Sequence, residues 1–229
     1  MTYEISRNFL GIALLAAAVS GCGQQASPPP ATSVAPAAPA AKPNPIDESL
    51  NLINAKRYQE AIAVCERGLV ASPNDRALRN NLAVARLQVG DVATSEEILT
   101  KLVADAPDFK LAANNLKWAQ SVRQQTEAAI ASAKKAAKGH GKDAVAAYWT
   151  LGLSYAKLNQ NEDALKAYEQ LHKLDPSDAR AINNAGAALM SLHRPAEALT
   201  QFQEAVKLDP KTQLYANNVR WAQSSLPKS

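Results

Sequence analysis

The chain has 229 residues, 47% of them hydrophobic and 20% charged, with a formal net charge of +4 and a mean hydropathy of -0.24. The Ala, Leu, Glu, Lys and Gln usage favours helix. No segment holds the roughly 20 apolar residues of a membrane-spanning helix, and so mild a positive charge argues against a nucleic-acid partner.

In chain order, the first element is a targeting segment. Phe9 to Val19 is an apolar run too short to span a bilayer and right for the core of a signal peptide. It closes on Val19-Ser20-Gly21-Cys22, which resembles a bacterial lipobox: a branched apolar residue, two small residues, then the cysteine that takes the lipid. The resemblance implies cleavage of residues 1–21 and lipidation of Cys22, with several acyl chains to make the anchor stable. The n-region is weakly positive, with Arg7 set against Glu4. Gly23, not Asp, follows the cysteine; among proteobacterial lipoproteins this implies the outer membrane, on the side facing the periplasm.

Residues 22–45 form a tether. Seven of the thirteen prolines lie here among Ala, Ser and Gln, so the segment favours extended polyproline II over helix or sheet. At roughly 3.1 Å per residue it reaches on the order of 70 Å. With Cys22 lipidated, Cys65 is the other cysteine, no intrachain disulfide is expected, and Cys65 reads as a buried structural thiol.

From residue 42 onward the chain repeats with a period near 34. The clearest unit runs Tyr148-Trp149-Thr150-Leu151-Gly152-Leu153-Ser154-Tyr155, then Ala164 to Tyr168, then Leu174-Asp175-Pro176. These residues resemble the tetratricopeptide repeat motif: a large residue, a Leu-Gly pair, an aromatic, a small Ala, another aromatic and a closing Pro. Gly152 and Gly186 let two helices approach closely, Ala61, Ala129, Ala164 and Ala198 do so at the crossing, and Pro73, Pro107, Pro176 and Pro210 end the second helices. The resemblance implies an all-α, right-handed superhelical solenoid over residues 46–229. Its expected units are 42–75, 76–109, 110–144, 145–178 and 179–212, with a capping helix at 213–225. The third unit is degenerate, since Gly139-His140-Gly141 stands where Pro is usual. The alternative there is a hinge at 124–143 between two lobes. Lys134, Lys135, Lys138 and Lys142 near it read as a solvated helix face and loop, or else as a patch for a membrane headgroup or acidic partner.

A longer repeat is laid over the short one. Asn114-Asn115-Leu116-Lys117-Trp118-Ala119-Gln120-Ser121 returns 103 residues later as Asn217-Asn218-Val219-Arg220-Trp221-Ala222-Gln223-Ser224. Repetition on this scale points to an extended binding surface rather than a catalytic pocket. His140, His172 and His193 sit in separate units without metal-ligand spacing, and no phosphate loop or nucleophile motif appears, so neither an enzyme nor a cofactor is expected.

In the tetratricopeptide family the first helix of each unit lines a concave groove. Carried over position by position, this places Asn80, Asn81, Asn114, Asn115, Asn183, Asn184, Asn217 and Asn218 on that face, with Trp118, Trp149, Trp221, Leu153, Leu111 and Met190. Asn amides both donate and accept, so a ladder of them suits an extended peptide backbone, and tryptophans supply apolar anchors. The same amides could instead bridge adjacent helices, and Trp118 and Trp221 could cover the ends of two modules. The expected function is a lipid-anchored adaptor that holds a peptide or helix of a protein partner. The alternatives are a self-associating spacer and, without the lipid anchor, a cytoplasmic chaperone-like module.

Overall fold

The computed structural model describes residues 44–227, which contain ten α-helices and no strand. The signal peptide 1–21, Cys22 and the tether as far as residue 43 lie outside the described residues. The helices are α1 (Pro45–Asn54), α2 (Tyr58–Ala71), α3 (Arg76–Gln88), α4 (Val92–Asp105), α5 (Lys110–Ala136), α6 (Lys142–Lys157), α7 (Asn161–Leu174), α8 (Ala179–Ser191), α9 (Pro195–Leu208) and α10 (Gln213–Ser224). Each packs on its neighbours in the chain, which makes the fold an all-α solenoid. Asn44, Asp75, Asp91 and Asp178 accept N–H groups of the first turns of α1, α3, α4 and α8, stabilising each helix start.

The 103-residue repeat is visible in the helix boundaries. Adding 103 to α2, α3 and α4 gives the bounds of α7, α8 and α9, and α5 and α10 begin in the same register. The chain is therefore two copies of one module: α1–α4 with the first half of α5, and α6–α10. Within each pair the tight turn is made by a residue of positive φ: Lys56 (59°), Gly90 (92°), Asn159 (55°) and His193 (59°).

The third unit departs from its expected form. A helix, a turn and a second helix were expected across 110–144, or else a hinge at 124–143. The structure has one continuous helix of 27 residues, α5, about 40 Å long at 1.5 Å per residue. The physical reason lies at Lys117. Its counterparts in the paired units are Ser49, Ala83, Gly152 and Gly186, all buried where the second helix presses against the first. A lysine there would be buried by a returning helix, so the helix does not return and Lys117 stays exposed. Arg220 holds the same position in α10, where the stack ends, and is likewise exposed. The turn site itself falls near Gln124, in a run with no glycine or proline to break a helix.

So α5 has two roles. Its first half is the polar cap of the first module, as α10 is of the second. Its second half packs Ile130 and Ala133 into one core with Leu151 of α6, Leu158 just past the end of α6, and Ala167 of α7. At the junction Arg123 pairs with Glu96 of α4. Asn159 Nδ2 donates to Thr94 Oγ1 at 3.2 Å, which brings the turns of the second and fourth units together.

The cores of the copies are filled differently. A Cβ on Gly152 would lie 2.4 Å from the Tyr168 ring, and one on Gly186 would lie 2.6 Å from Phe202. The equivalent pairs in the first module are Ser49 with Cys65 and Ala83 with Leu99, in which the larger first residue meets a smaller second one. Cys65 is buried as expected; burial pushes its thiol up, against a smaller opposing effect of its hydrogen bond with Ser49.

Candidate protein-binding groove

The first helices of the second module's units, α6 and α8, together with α10, line a cavity of about 450 Å³. Trp149 and Leu153 are one turn apart on α6 and share a face. Arg180, Asn183 and Asn184 come from α8, and Leu214 and Tyr215 from α10. A second hollow of about 270 Å³ continues past Leu153 and Asn184 to Ala187 and Ser191. Leu153 and Leu214 are 47% and 55% exposed, so the groove presents apolar surface to solvent.

Its back wall is closely packed. Trp149 meets the Tyr168 ring edge-on, with centroids 6.0 Å apart and planes at 69°. Above Trp149 the Arg180 guanidinium lies 5.1 Å from the ring centroid. Asp178 holds that guanidinium in a fork, Nε to Oδ1 at 3.0 Å and Nη2 to Oδ2 at 2.7 Å. Asp178 also accepts the Arg180 backbone N–H at 3.0 Å. The Arg180 side chain holds the Asp178 carboxyl below its ordinary range, against the smaller effect of burial. Tyr168 is pushed up to about 12 by burial, and its hydrogen bond with Asn184 opposes the rise.

The asparagines divide by position. Asn80, Asn81 and Asn183 are buried, Asn115, Asn184 and Asn218 are half-buried, and Asn114 and Asn217 are exposed. The second residue of each pair reaches back to the preceding unit. Asn81 Nδ2 donates to Ser49 Oγ at 3.0 Å, Asn115 Nδ2 to Asn80 Oδ1 at 2.8 Å, Asn218 Nδ2 to Asn183 Oδ1 at 2.7 Å, and Asn184 bonds Tyr168. Of the two readings open for these side chains, the bonds match the bridging one at Asn80, Asn81, Asn115, Asn183 and Asn218: their amides brace one helix against the next, because a buried amide needs a partner within the protein. The register has one gap. Thr150 takes the place of the second Asn in α6, and its hydroxyl donates to Ala146 of its own helix at 3.0 Å. Among the described residues no amide brace crosses from α6 to α5.

Of the sequence-derived site, Trp149, Leu153, Asn183 and Asn184 converge on one cavity. Trp118 and Trp221 do not; each is exposed on a capping helix, beside Asn114 and Leu111 or Asn217 and Leu214. Arg180, Leu214 and Tyr215 were missed. Leu214 was readable as the 103-residue partner of Leu111, whereas nothing in the sequence marked Arg180 as lying over Trp149. Among the described residues no group of three or more His, Cys, Asp or Glu is placed to hold a metal, and no helix is long and apolar enough to cross a membrane.

Two family models, both described as tetratricopeptide repeat, match residues 52–117 and 150–211 and together span more than half of the chain. The matched stretches stop at Lys117 and resume at Thr150, on either side of the fused part of α5. Among solved structures, TTC0263, a thermophilic tetratricopeptide repeat protein of Thermus thermophilus, is 23% identical, covers 79% of this chain and 97% of its own, and gives a TM-score of 0.39. YrrB, described as a tetratricopeptide repeat protein with an unusual peptide-binding site, is 15% identical over 77% of this chain and 90% of its own, with a TM-score of 0.39. MamA is 24% identical over 75% and 93%, with a TM-score of 0.36. No curated protein matches the chain in sequence.

Proposed function

The chain belongs to the tetratricopeptide repeat family, whose repeats are protein-interaction modules, and from that premise we propose a non-catalytic adaptor of the bacterial envelope that grips a protein partner with its second module. The partner segment lies along α6, α8 and α10 as a peptide or helix. Apolar side chains sit between Trp149, Leu153 and Leu214, and polar groups meet Arg180 and Asn184. The observation that carries this is the groove itself: half-exposed leucines beside a tryptophan that Tyr168 and Arg180 hold in place. Pre-set apolar anchors of this kind concentrate binding energy without an ordering cost.

The start of the sequence supports a lipid anchor. A lipid on Cys22 and a proline-rich tether would hold the module off the membrane, and Gly23 favours the outer membrane on the side facing the periplasm.

Crosslinking in intact cells from a photoreactive residue at Leu153 tests the groove. The expected result is one protein captured from Leu153 and not from Glu169, an exposed residue of α7. Leu153→Asp should then weaken binding of that protein at least about tenfold, with a melting temperature changed by no more than about 2 °C. Equal capture from both positions would refute the groove. Mass spectrometry of the mature N-terminus tests the anchor separately: an intact Met1 refutes it and leaves the groove standing.

A further inference from the structure

The two modules end differently at their starts. On the second module, the face formed by α6 and α7 is covered by the second half of α5, and Leu151, Leu158 and Ala167 are buried in a core with Ile130 and Ala133. The half-buried Tyr155 packs on the same core, with Lys134 Nζ 5.7 Å from its ring centroid. Subtracting 103 turns Leu151, Tyr155, Leu158 and Ala167 into Glu48, Leu52, Ala55 and Val64. Those four residues line one open cavity of about 560 Å³ on α1 and α2, with Ala63 and Arg67 beside them. Among the described residues, the first module thus shows as a hollow the surface that the second module has filled with a helix, with the half-buried Glu48 in place of the buried Leu151 and with Asn51, Arg57 and Glu60 also lining it. It lies at the end of the solenoid, away from the groove between the first helices.

We infer that this hollow is a docking site for an amphipathic helix of a partner protein, about four turns long and of the chemistry of α5's second half. That half offers Thr126, Ile130 and Ala133 at heptad-like spacing, all three buried, with Glu127 and Lys134 two turns apart on one flank. Three features fit the hollow to such a helix. Leu52 stands where the second module has the larger Tyr155, which leaves room for an apolar side chain at that point. Ala55 stands exposed where Leu158 is buried, so apolar area waits to be covered. On the rim Arg57 and Glu60 pair with each other at 2.6 Å, whereas among the described residues Glu48 and Arg67 have no ion-pair partner. A helix with one base and one acid two turns apart on one flank, as α5 has, supplies both charges. The inherited geometry of a helix covering this face identifies the occupant; a bare apolar patch would not.

The probe is a synthetic peptide of residues 122–137, titrated into the ¹⁵N-labelled full chain in a non-ionic detergent. Saturable shifts are expected at Leu52, Ala55 and Ala63, with a Kd of about 1 mM or tighter. Ala63→Glu and, separately, Ala55→Glu place a carboxylate in the hollow from positions that are not fully buried, and each should weaken the peptide at least about tenfold while the circular dichroism melt is unchanged. Absence of saturable shifts overturns the proposal, as does undiminished binding to both variants. Shifts at Leu151, Leu158 and Ala167 instead would mean that the peptide merely replaces α5's own helix, and would also overturn it.

Discussion

Gly152 with Tyr168 in the second module and Ser49 with Cys65 in the first occupy the same place in the fold and solve the same packing problem oppositely. One removes a side chain so that a ring can enter; the other keeps a hydroxyl and shrinks its neighbour. The difference spreads outward. The Tyr168 ring backs Trp149, Trp149 carries Arg180, and these with Leu153 form the wall of the groove proposed to bind a partner. The first module has Ile46, Leu50 and Ala77 at the positions of Trp149, Leu153 and Arg180. Duplication supplied two scaffolds, and the second carries the aromatic and cationic groups that a partner would recognise.

The largest expected effect breaks the link between the copies. Gln124→Pro in the middle of α5 removes a backbone hydrogen bond and clashes with the preceding turn, at a cost of about 3 kcal/mol. Urea unfolding should then show two transitions if the modules are separately stable; a single transition displaced by the full amount would mean that they fold as one. Next comes the packing exchange. Gly152→Ser should destabilise by about 2 kcal/mol through overlap with Tyr168, and the same change made in a Tyr168→Cys background should cost at least about 1 kcal/mol less, a favourable coupling. Strict additivity would show that the two pairs are not alternative solutions. The smallest effects separate braces from exposed amides. Asn115→Ala leaves the buried Asn80 oxygen without its donor and should cost about 1–2 kcal/mol, whereas Asn114→Ala should stay within about 0.5 kcal/mol. Equal losses would remove the distinction between the two residues of each pair.

Most of the architecture was legible because repeats state their own register. The helix pairs and the buried glycines follow from the repeat spacing and the motif it resembles, and the capping helix α10 from the end of the last unit, whereas the cap in the first half of α5 was one of two open readings. The third unit misled because Ala129, Ile130 and Asp143 keep their register, so the segment looks like a second helix of a pair. The contrary signal was a single side chain, Lys117, charged where every paired unit has a small residue. The asparagines left two readings open for another reason. Sequence position tells which face of a helix a residue occupies, but whether an adjacent helix reaches its amide depends on how closely the helices stack. Asn115 meets Asn80, and Asn114, one residue earlier, meets solvent. Arg180 was beyond reach for the same reason, since its place over Trp149 depends on two helices whose separation no local pattern records.

The uninterrupted α5 also sets an angular phase. Each residue of an α-helix turns its axis by about 100°, so deleting one residue between Ser121 and Thr126 would swing the second module by that angle about the shared axis. Insertions of about seven or eleven residues would nearly restore the phase while lengthening the spacing by about 10 or 16 Å. The relative aim of the two modules is thus quantised, and homologous chains with altered junctions should differ there by whole turns.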